Sequence, residues 1–428
     1  MIQPQKPAPQ QVVAQAPFHL MTKPVGSKCN LDCSYCFYLE KERLYGEPGN
    51  MRMKPNVLET YVRDYIAAQP GPNVSFAWQG GEPTLLGVDF FRDAMALQSR
   101  YAQGKKIENA FQTNGILLDD SWGEFLAKHK FLVGLSIDGP AQLHDAYRVD
   151  KGGKATFDRV LAGLQILKKH GVEFNTLTTV HRKNSVQPVQ VYQFLREIGS
   201  GYIQFIPIVE RSAANPKEGE LWLASPPDNA DPETLDTQVT PWSVRPLEYG
   251  NFLCRVFDEW VQRDVGKVFV QHFDAALANW TGNPAGICVF SENCGRNLAI
   301  EHNGDIYSCD HYVYPRYHLG NLLNTSLAAM VDSPQQRAFG QGKSATLPRY
   351  CRECPVKFAC HGECPKHRFL RAPGGETGLN YLCAGYKKFF THIDSPMRTM
   401  SALLSMRQAP SGIMQMPRAQ WMPKKLRS

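Results

Sequence analysis

No run of the chain approaches the roughly 18 consecutive apolar residues of a membrane span, and the opening MIQPQKPAPQQVVAQAP is polar where a secretory leader needs an apolar stretch. A cytoplasmic protein is expected. Acidic residues are missing after Asp394, in a tail that carries Arg398, Arg407, Arg418, Lys424, Lys425 and Arg427. Those six account for most of the net charge of +7 and leave a nearly neutral body, which argues against a nucleic-acid footprint. No repeat is visible beyond an alternation of strands and helices. Cysteine is absent between Cys36 and Cys254, so the thiols fall into chemically distinct regions.

At 428 residues and 43% hydrophobic content the chain can bury one large core or two ordinary ones. Its twelve cysteines are expected to stay reduced in a cytoplasm, where clustered thiols are metal ligands. Cys29, Cys33 and Cys36 stand at CxxxCxxC spacing. Cys288, Cys294, Cys309, Cys351, Cys354, Cys360, Cys364 and Cys383 crowd the C-terminal region, and eight thiolates make two complete sites, for iron-sulfur clusters or for zinc. Cys254, on an apolar helix face, is left as a buried structural thiol. The triplet is one ligand short. Three cysteines can hold three irons of a cubane and leave the fourth open to a ligand that is not protein; a zinc completed by a remote histidine fits the same spacing.

Short β-rich apolar runs predict strands over 18–26, 73–78, 107–113, 131–137, 172–180 and 202–209, and helical patterns lie between them. In the clearest, Phe157, Val160, Leu161, Leu164 and Leu167 form one stripe and Gly171 stops the helix. Six strand–helix units imply parallel strands with right-handed crossovers, in a doubly wound sheet or a full or partial barrel. Residues 211–244, rich in Pro, Asp and Asn, read as an excursion near the barrel mouth. From about 281 the pattern turns to Gly, Cys and short segments, a small domain stapled by metal.

The triplet follows the first strand, on the face where barrel active sites gather. The next strand runs into WQGGEP, where Gly80 and Gly81 allow the backbone to approach a small molecule closely and Glu82 can accept hydrogen bonds from an amino group. QTNG with Asn114, LSIDGP with Ser136 and Asp138, and then Arg148 continue this array of polar groups at strand ends. Caps and turns account for Asn114 and Asp138, and for Asp305 in HNGDIYS.

CxxxCxxC with an aromatic before its last cysteine, followed by GGEP, resembles the radical S-adenosylmethionine superfamily over about residues 18–210. The resemblance implies a partial (β/α)6 TIM-type barrel and a cubane whose open iron is chelated by S-adenosylmethionine. It assigns Tyr35, Gly80, Gly81 and Glu82 to the methionine moiety, Ser136 and Arg148 to the ribose and carboxylate region, and Ile203 to the adenine side. The later cysteines look like a SPASM extension with two auxiliary [4Fe-4S] clusters, which brings the total to three. On that likeness Cys288, Cys294, Cys309 and Cys364 ligate one cluster and Cys351, Cys354, Cys360 and Cys383 the other.

YSCDHYVYPRYHLGN, residues 307–321, resembles the anaerobic sulfatase-maturating enzymes. The likeness implies that an active-site Cys or Ser of an unfolded sulfatase is oxidised to Cα-formylglycine. It makes Asp310 the proton acceptor, puts Tyr38 against the target side chain, and implies a low-potential electron donor such as flavodoxin or ferredoxin. The expected layout is a flexible extension (1–17), the barrel (18–245), a helical linker (246–280), the SPASM domain (281–395) and a loosely held basic tail (396–428). A SPASM maturase forming thioether or carbon–carbon crosslinks in a ribosomal peptide is the nearest alternative, and a zinc-stabilised binding protein is one of another class.

Overall fold

The computed structural model describes residues 13–45, 51–213, 221–227 and 238–421. Strands β1 (His19–Lys23), β2 (Asn73–Trp78), β3 (Lys106–Thr113), β4 (Leu132–Ser136), β5 (Phe174–Val180) and β6 (Tyr202–Pro207) lie side by side in chain order, all parallel. Between them run α1 (Pro55–Ala68), α2 (Val88–Tyr101), α3 (Asp120–Lys128), α4 (Ala141–His144), α5 (Phe157–Lys169) and α6 (Pro188–Glu197). Local chemistry starts and stops them. Proline opens α1 and α6, where its missing N–H costs nothing; Asp119 caps α3 by accepting from Trp122 N at 3.0 Å; and Gly171, at φ +63°, lets the chain leave α5.

Strand alternation separates two surfaces. Leu20, Phe76, Phe111, Val133, Leu135 and Phe205 are buried in cores shared with the helices. The residues between them, Lys23, Gln112 and Ser136 among them, face the barrel interior, as their contacts below bear out.

Beyond the six strands the structure departs from expectation. The sheet has ten: β7 (Phe269–Val270) pairs with β6, and β8 (Asn297–Glu301), β9 (Asp305–Tyr307) and β10 (His318–Asn321) extend the other edge. β8 runs parallel to β1 over its whole length, from His19↔Asn297 to Lys23↔Glu301, and Leu298 and Ile300 enter the barrel's own core. The cysteine-rich segment is therefore continuous with the sheet, because NLAIE is apolar enough to be an inner strand.

Residues 246–280 are no linker. Helices α7 (Pro246–Arg263) and α8 (Gln271–Trp280) bury Phe252, Leu253, Phe257, Trp260 and Phe273 in the larger core. Cys254 is buried there too. The expected tail is also packed: one helix, Cys383–Ser405, crosses the 395/396 boundary and buries Met397, Met400 and Leu403, with Ile413 and Trp421 following. The basic residues had masked that apolar stripe. Residues 422–428, with Lys424, Lys425 and Arg427, and residues 1–12 lie outside the described residues. From Val13 on the N-terminal segment is docked, with Ala14 buried and Gln15 N donating to Asp332 at 2.8 Å. Of the 211–244 excursion, the described parts return over the barrel mouth, where Trp222 N and Leu223 N donate to Glu40.

Candidate active site

The loop after β1 carries Cys29, Cys33 and Cys36, and the turn after β2 braces it. Gly81, at φ +48°, sits where a Cβ would lie 2.0 Å from Lys28 O. Gly80, at φ +93°, is crossed by the Lys23 side chain, 2.0 Å from a Cβ there. The close neighbours of both glycines are therefore protein atoms. Glu82 is buried, and its carboxylate accepts from Thr84 N and Oγ1, Thr113 Oγ1 and Asn114 N, the last at 2.8 Å on Oε2. Burial pushes this carboxyl up, against those hydrogen bonds. Asn114 Nδ2 donates to Asn30 Oδ1 at 2.8 Å and lies 3.9 Å from Cys29 Sγ, joining the end of β3 to the cysteine loop.

Asp138, just past β4, is a hub that its reading as a turn residue passed over. It accepts from Tyr35 OH (2.5 Å), Arg148 Nε (2.9 Å) and Thr179 N (2.9 Å). Burial pushes its carboxyl up, but Arg148, His181 and His144 outweigh burial and hold it below the ordinary range. Tyr35 and Arg148 are thus fixed to each other beside the triplet, with the Arg148 guanidinium 5.5 Å from the Tyr35 ring. Ser136 Oγ accepts from Gln112 Nε2 at 3.0 Å on the interior face.

Ile203 was expected on the adenine side. It lies at the start of β6, pairs with Val270, and is buried in the helix-facing core, away from the mouth and the interior. The β6 residue on the interior face near its C-terminal end is Ile206, 36% exposed. Counting two residues at a time from Ile203 never reaches the inner face; counting from Gln204 does.

Asp310 follows Cys309 on a short turn beyond β9 and forms an ion pair with Lys23, the last residue of β1. Burial pushes the Asp310 carboxyl up; Lys23 and His311 outweigh burial and hold it below the usual carboxylate range. Lys23 Nζ also lies 4.3 Å from the centre of the Tyr38 ring, and the Tyr38 hydroxyl donates to Glu301, at the end of β8. Lys23 and Glu301 were not among the sequence candidates. The available signal was a charged residue at an inward position of an apolar strand, directly before the triplet.

Among the described residues all twelve cysteines are free thiols. Electrostatic coupling between thiols defines three groups: Cys29, Cys33 and Cys36; Cys288, Cys294, Cys309 and Cys364; and Cys351, Cys354, Cys360 and Cys383. Burial pushes Cys29, Cys33 and Cys360 up to about 12 and Cys309 well above its usual value. Such thiols ionise only with a strong local cation such as a metal. The last group lines a small, partly open cavity with Gly362, Asn380 and Tyr386. Among the described residues no three Cys, His, Asp or Glu side chains converge tightly enough to share one ion, whereas a cubane offers each thiolate its own iron. The donor sets fit [4Fe-4S] clusters, with the triplet one ligand short.

The pattern of the radical SAM superfamily matches residues 24–195, and that of an iron-sulfur cluster-binding domain, SPASM, matches residues 288–355. The chain is 47% identical to a serine-type anaerobic sulfatase-maturating enzyme of Bacteroides thetaiotaomicron over 398 residues, 93% of this chain and 94% of that one. It is 33% identical to a cysteine-type anaerobic sulfatase-maturating enzyme of Clostridium perfringens, over 88% of this chain and 96% of the other. The solved structure of native anSMEcpe with bound AdoMet and Cp18Cys peptide superposes with a TM-score of 0.78 at 30% identity, covering 91% of this chain and 99% of that one.

Proposed function

The chain belongs to the anaerobic sulfatase-maturating enzymes of the radical SAM superfamily, and from that membership we propose that it is of the serine type, with Asp310 as proton acceptor. It is a radical SAM oxidoreductase that generates Cα-formylglycine in a sulfatase, and its cofactors are S-adenosylmethionine and [4Fe-4S] clusters. Support for the serine type comes from the higher identity to the serine-type relative, 47% against 33%.

Turning –CH2OH into –CHO removes one hydrogen atom, one proton and one electron. When bound at the triplet, cluster and S-adenosylmethionine supply a 5′-deoxyadenosyl radical, an acceptor for the hydrogen atom. Asp310 takes the hydroxyl proton. Lys23 keeps that carboxyl ionised and aimed at the mouth, and Tyr38, anchored by Glu301, walls the target side chain. Tyr35, Glu82, Ser136 and Arg148 would hold S-adenosylmethionine, with Ile206 in place of Ile203 on the adenine side. The observation that carries the reading is the Asp310–Lys23 pair, in which an acid beside one thiol group meets the strand leading to another.

The electron donor to the triplet is of the flavodoxin or ferredoxin kind, and the working compartment is the cytoplasm, where a sulfatase is still unfolded; no described helix is long and apolar enough to cross a membrane. The test is anaerobic turnover of paired peptides that differ only in Ser or Cys at the target. Faster aldehyde formation on the serine peptide, lost in Asp310→Asn, is expected. Preference for the cysteine peptide overturns the serine assignment, and full aldehyde yield from Asp310→Asn removes that residue from the chemistry.

A further inference from the structure

Cys360 and Cys364 belong to different thiol groups, yet only three residues separate them. All three are left-handed: His361 at φ +45°, Gly362 at +71° and Glu363 at +51°. Two non-glycine residues in that region are disfavoured and persist only where the surroundings impose them. Here the Arg368 guanidinium does so together with Asn380, whose Nδ2 donates to Gly362 O at 3.3 Å. Arg368 Nε donates to Gly362 O at 2.9 Å, Nη2 donates to His361 O at 2.9 Å and Glu363 O at 3.1 Å, and Nη1 donates to Lys343 O at 2.5 Å. A Cβ on Gly362 would lie 2.8 Å from Nη2. Arg368 thus bonds the carbonyl of every residue of the turn between the two sites.

Arg368 is 2% exposed, and among the described residues no carboxylate lies within ion-pair distance of it. Glu363, the nearest candidate, is committed to His367 Nδ1 (2.9 Å) and Asn380 Nδ2 (2.7 Å). Lys343 repeats the arrangement beside one group only: 1% exposed, it donates to Cys288 O, Val289 O (3.0 Å) and Ser291 O (2.6 Å). Two buried cations answered only by neutral carbonyls are costly unless other negative charge is near. Four thiolates around a cubane supply it, and reduction adds one unit more.

We propose that Arg368, seconded by Lys343, is a shared electrostatic positioning residue of the two auxiliary sites: its fixed charge favours the reduced state in both and readies them to take the electron that substrate oxidation leaves over. That electron is the one remaining after –CH2OH has given up a hydrogen atom and a proton to become –CHO. The inference rests on the proposed function and on the two four-thiol groups described above each holding a [4Fe-4S] cluster. Arg368 acts on both sites because its turn ends in a ligand of each; Lys343 acts on the Cys288 group alone.

The test is an anaerobic redox titration of the reconstituted full chain, followed by electron paramagnetic resonance without substrate, in a Cys29→Ala/Cys33→Ala/Cys36→Ala background that leaves only the auxiliary signals. Arg368→Gln is expected to lower both potentials, by at least tenfold in the equilibrium constant for one-electron reduction, about 59 mV. Arg368→Lys should recover most of the loss, and Lys343→Met should lower one potential only. Unchanged potentials in an Arg368→Gln protein with full iron overturn the proposal. If that variant fails to hold iron, Lys343→Met decides, since an unshifted potential at full iron overturns it as well. Because no substrate is present, a failure to make formylglycine sinks the proposed function without touching this result.

Discussion

Lys23→Met is the most informative single substitution. Methionine keeps the chain length that crosses Gly80 while removing the charge, so packing is largely preserved and the ion pair is lost. The pair is buried, with Lys23 side-chain exposure at 2% and Asp310 at 14%. Removing one partner of such a pair costs about 3–5 kcal/mol, and the residual exposure of Asp310 places the expected loss near the lower end, about 3 kcal/mol.

The pH dependence has a definite sign. Asp310 has a folded-state pKa below its ordinary value, so its contribution to stability is present above the unfolded carboxyl pKa and is lost as pH falls through the folded one. Without Lys23, burial becomes the dominant influence and the carboxyl moves up, so the acid limb of formylglycine formation should shift to higher pH. The double variant Lys23→Met/Asp310→Asn leaves no unpaired charge and should regain much of the stability while remaining inactive. Thermal unfolding under nitrogen at fixed scan rate and the pH profile are the assays. A Lys23→Met protein with the parent's stability and acid limb, or a double variant no more stable than the single, would refute the reasoning.

Gly81→Ala puts a methyl 2.0 Å from Lys28 O at a left-handed position; strain of about 1–3 kcal/mol should displace the loop carrying Cys29, and iron analysis should find one cluster's worth missing. Ile203→Val should cost about 0.5–1.5 kcal/mol of stability and leave S-adenosylmethionine affinity unaltered, whereas Ile206→Asp should weaken binding in equilibrium dialysis; the opposite pattern would return the adenine side to Ile203. A chain ending at Ser395 loses Met397, Met400, Leu403, Ile413 and Trp421 from the core, at about 1.5–3 kcal/mol each. That sum rivals a typical folding free energy, so the truncated protein should be recovered only as aggregate, and a soluble, cluster-loaded product would contradict it.

The six barrel strands were legible because each is a short run rich in β-branched and aromatic residues, set off from the helical patterns between them. β8 was not, since NLAIE is short and sits among cysteines, and no local pattern announces that its partner is β1, far earlier in the chain. The helical tail was missed for a related reason: its basic residues dominate composition, while Met397, Met400 and Leu403 carry the period that decides burial. At the site, residue type and spacing announced the thiols, whereas Asp310 stood out only through the family resemblance. Lys23 escaped because its importance comes from what crosses the sheet to meet it. Ile203 and Ile206 differ by parity, a matter of which face a strand turns inward.

The pairing of β8 with β1 has a consequence for anyone dissecting the molecule. Were the chain divided between α8 and β8 near Gly282, the N-terminal piece would keep every residue of its six-strand array yet present β1 as a bare edge, its amides and carbonyls open to any passing strand, with an ammonium group stranded in its interior. Co-expressed halves should therefore reassemble or precipitate together, and neither half should behave as an autonomous module.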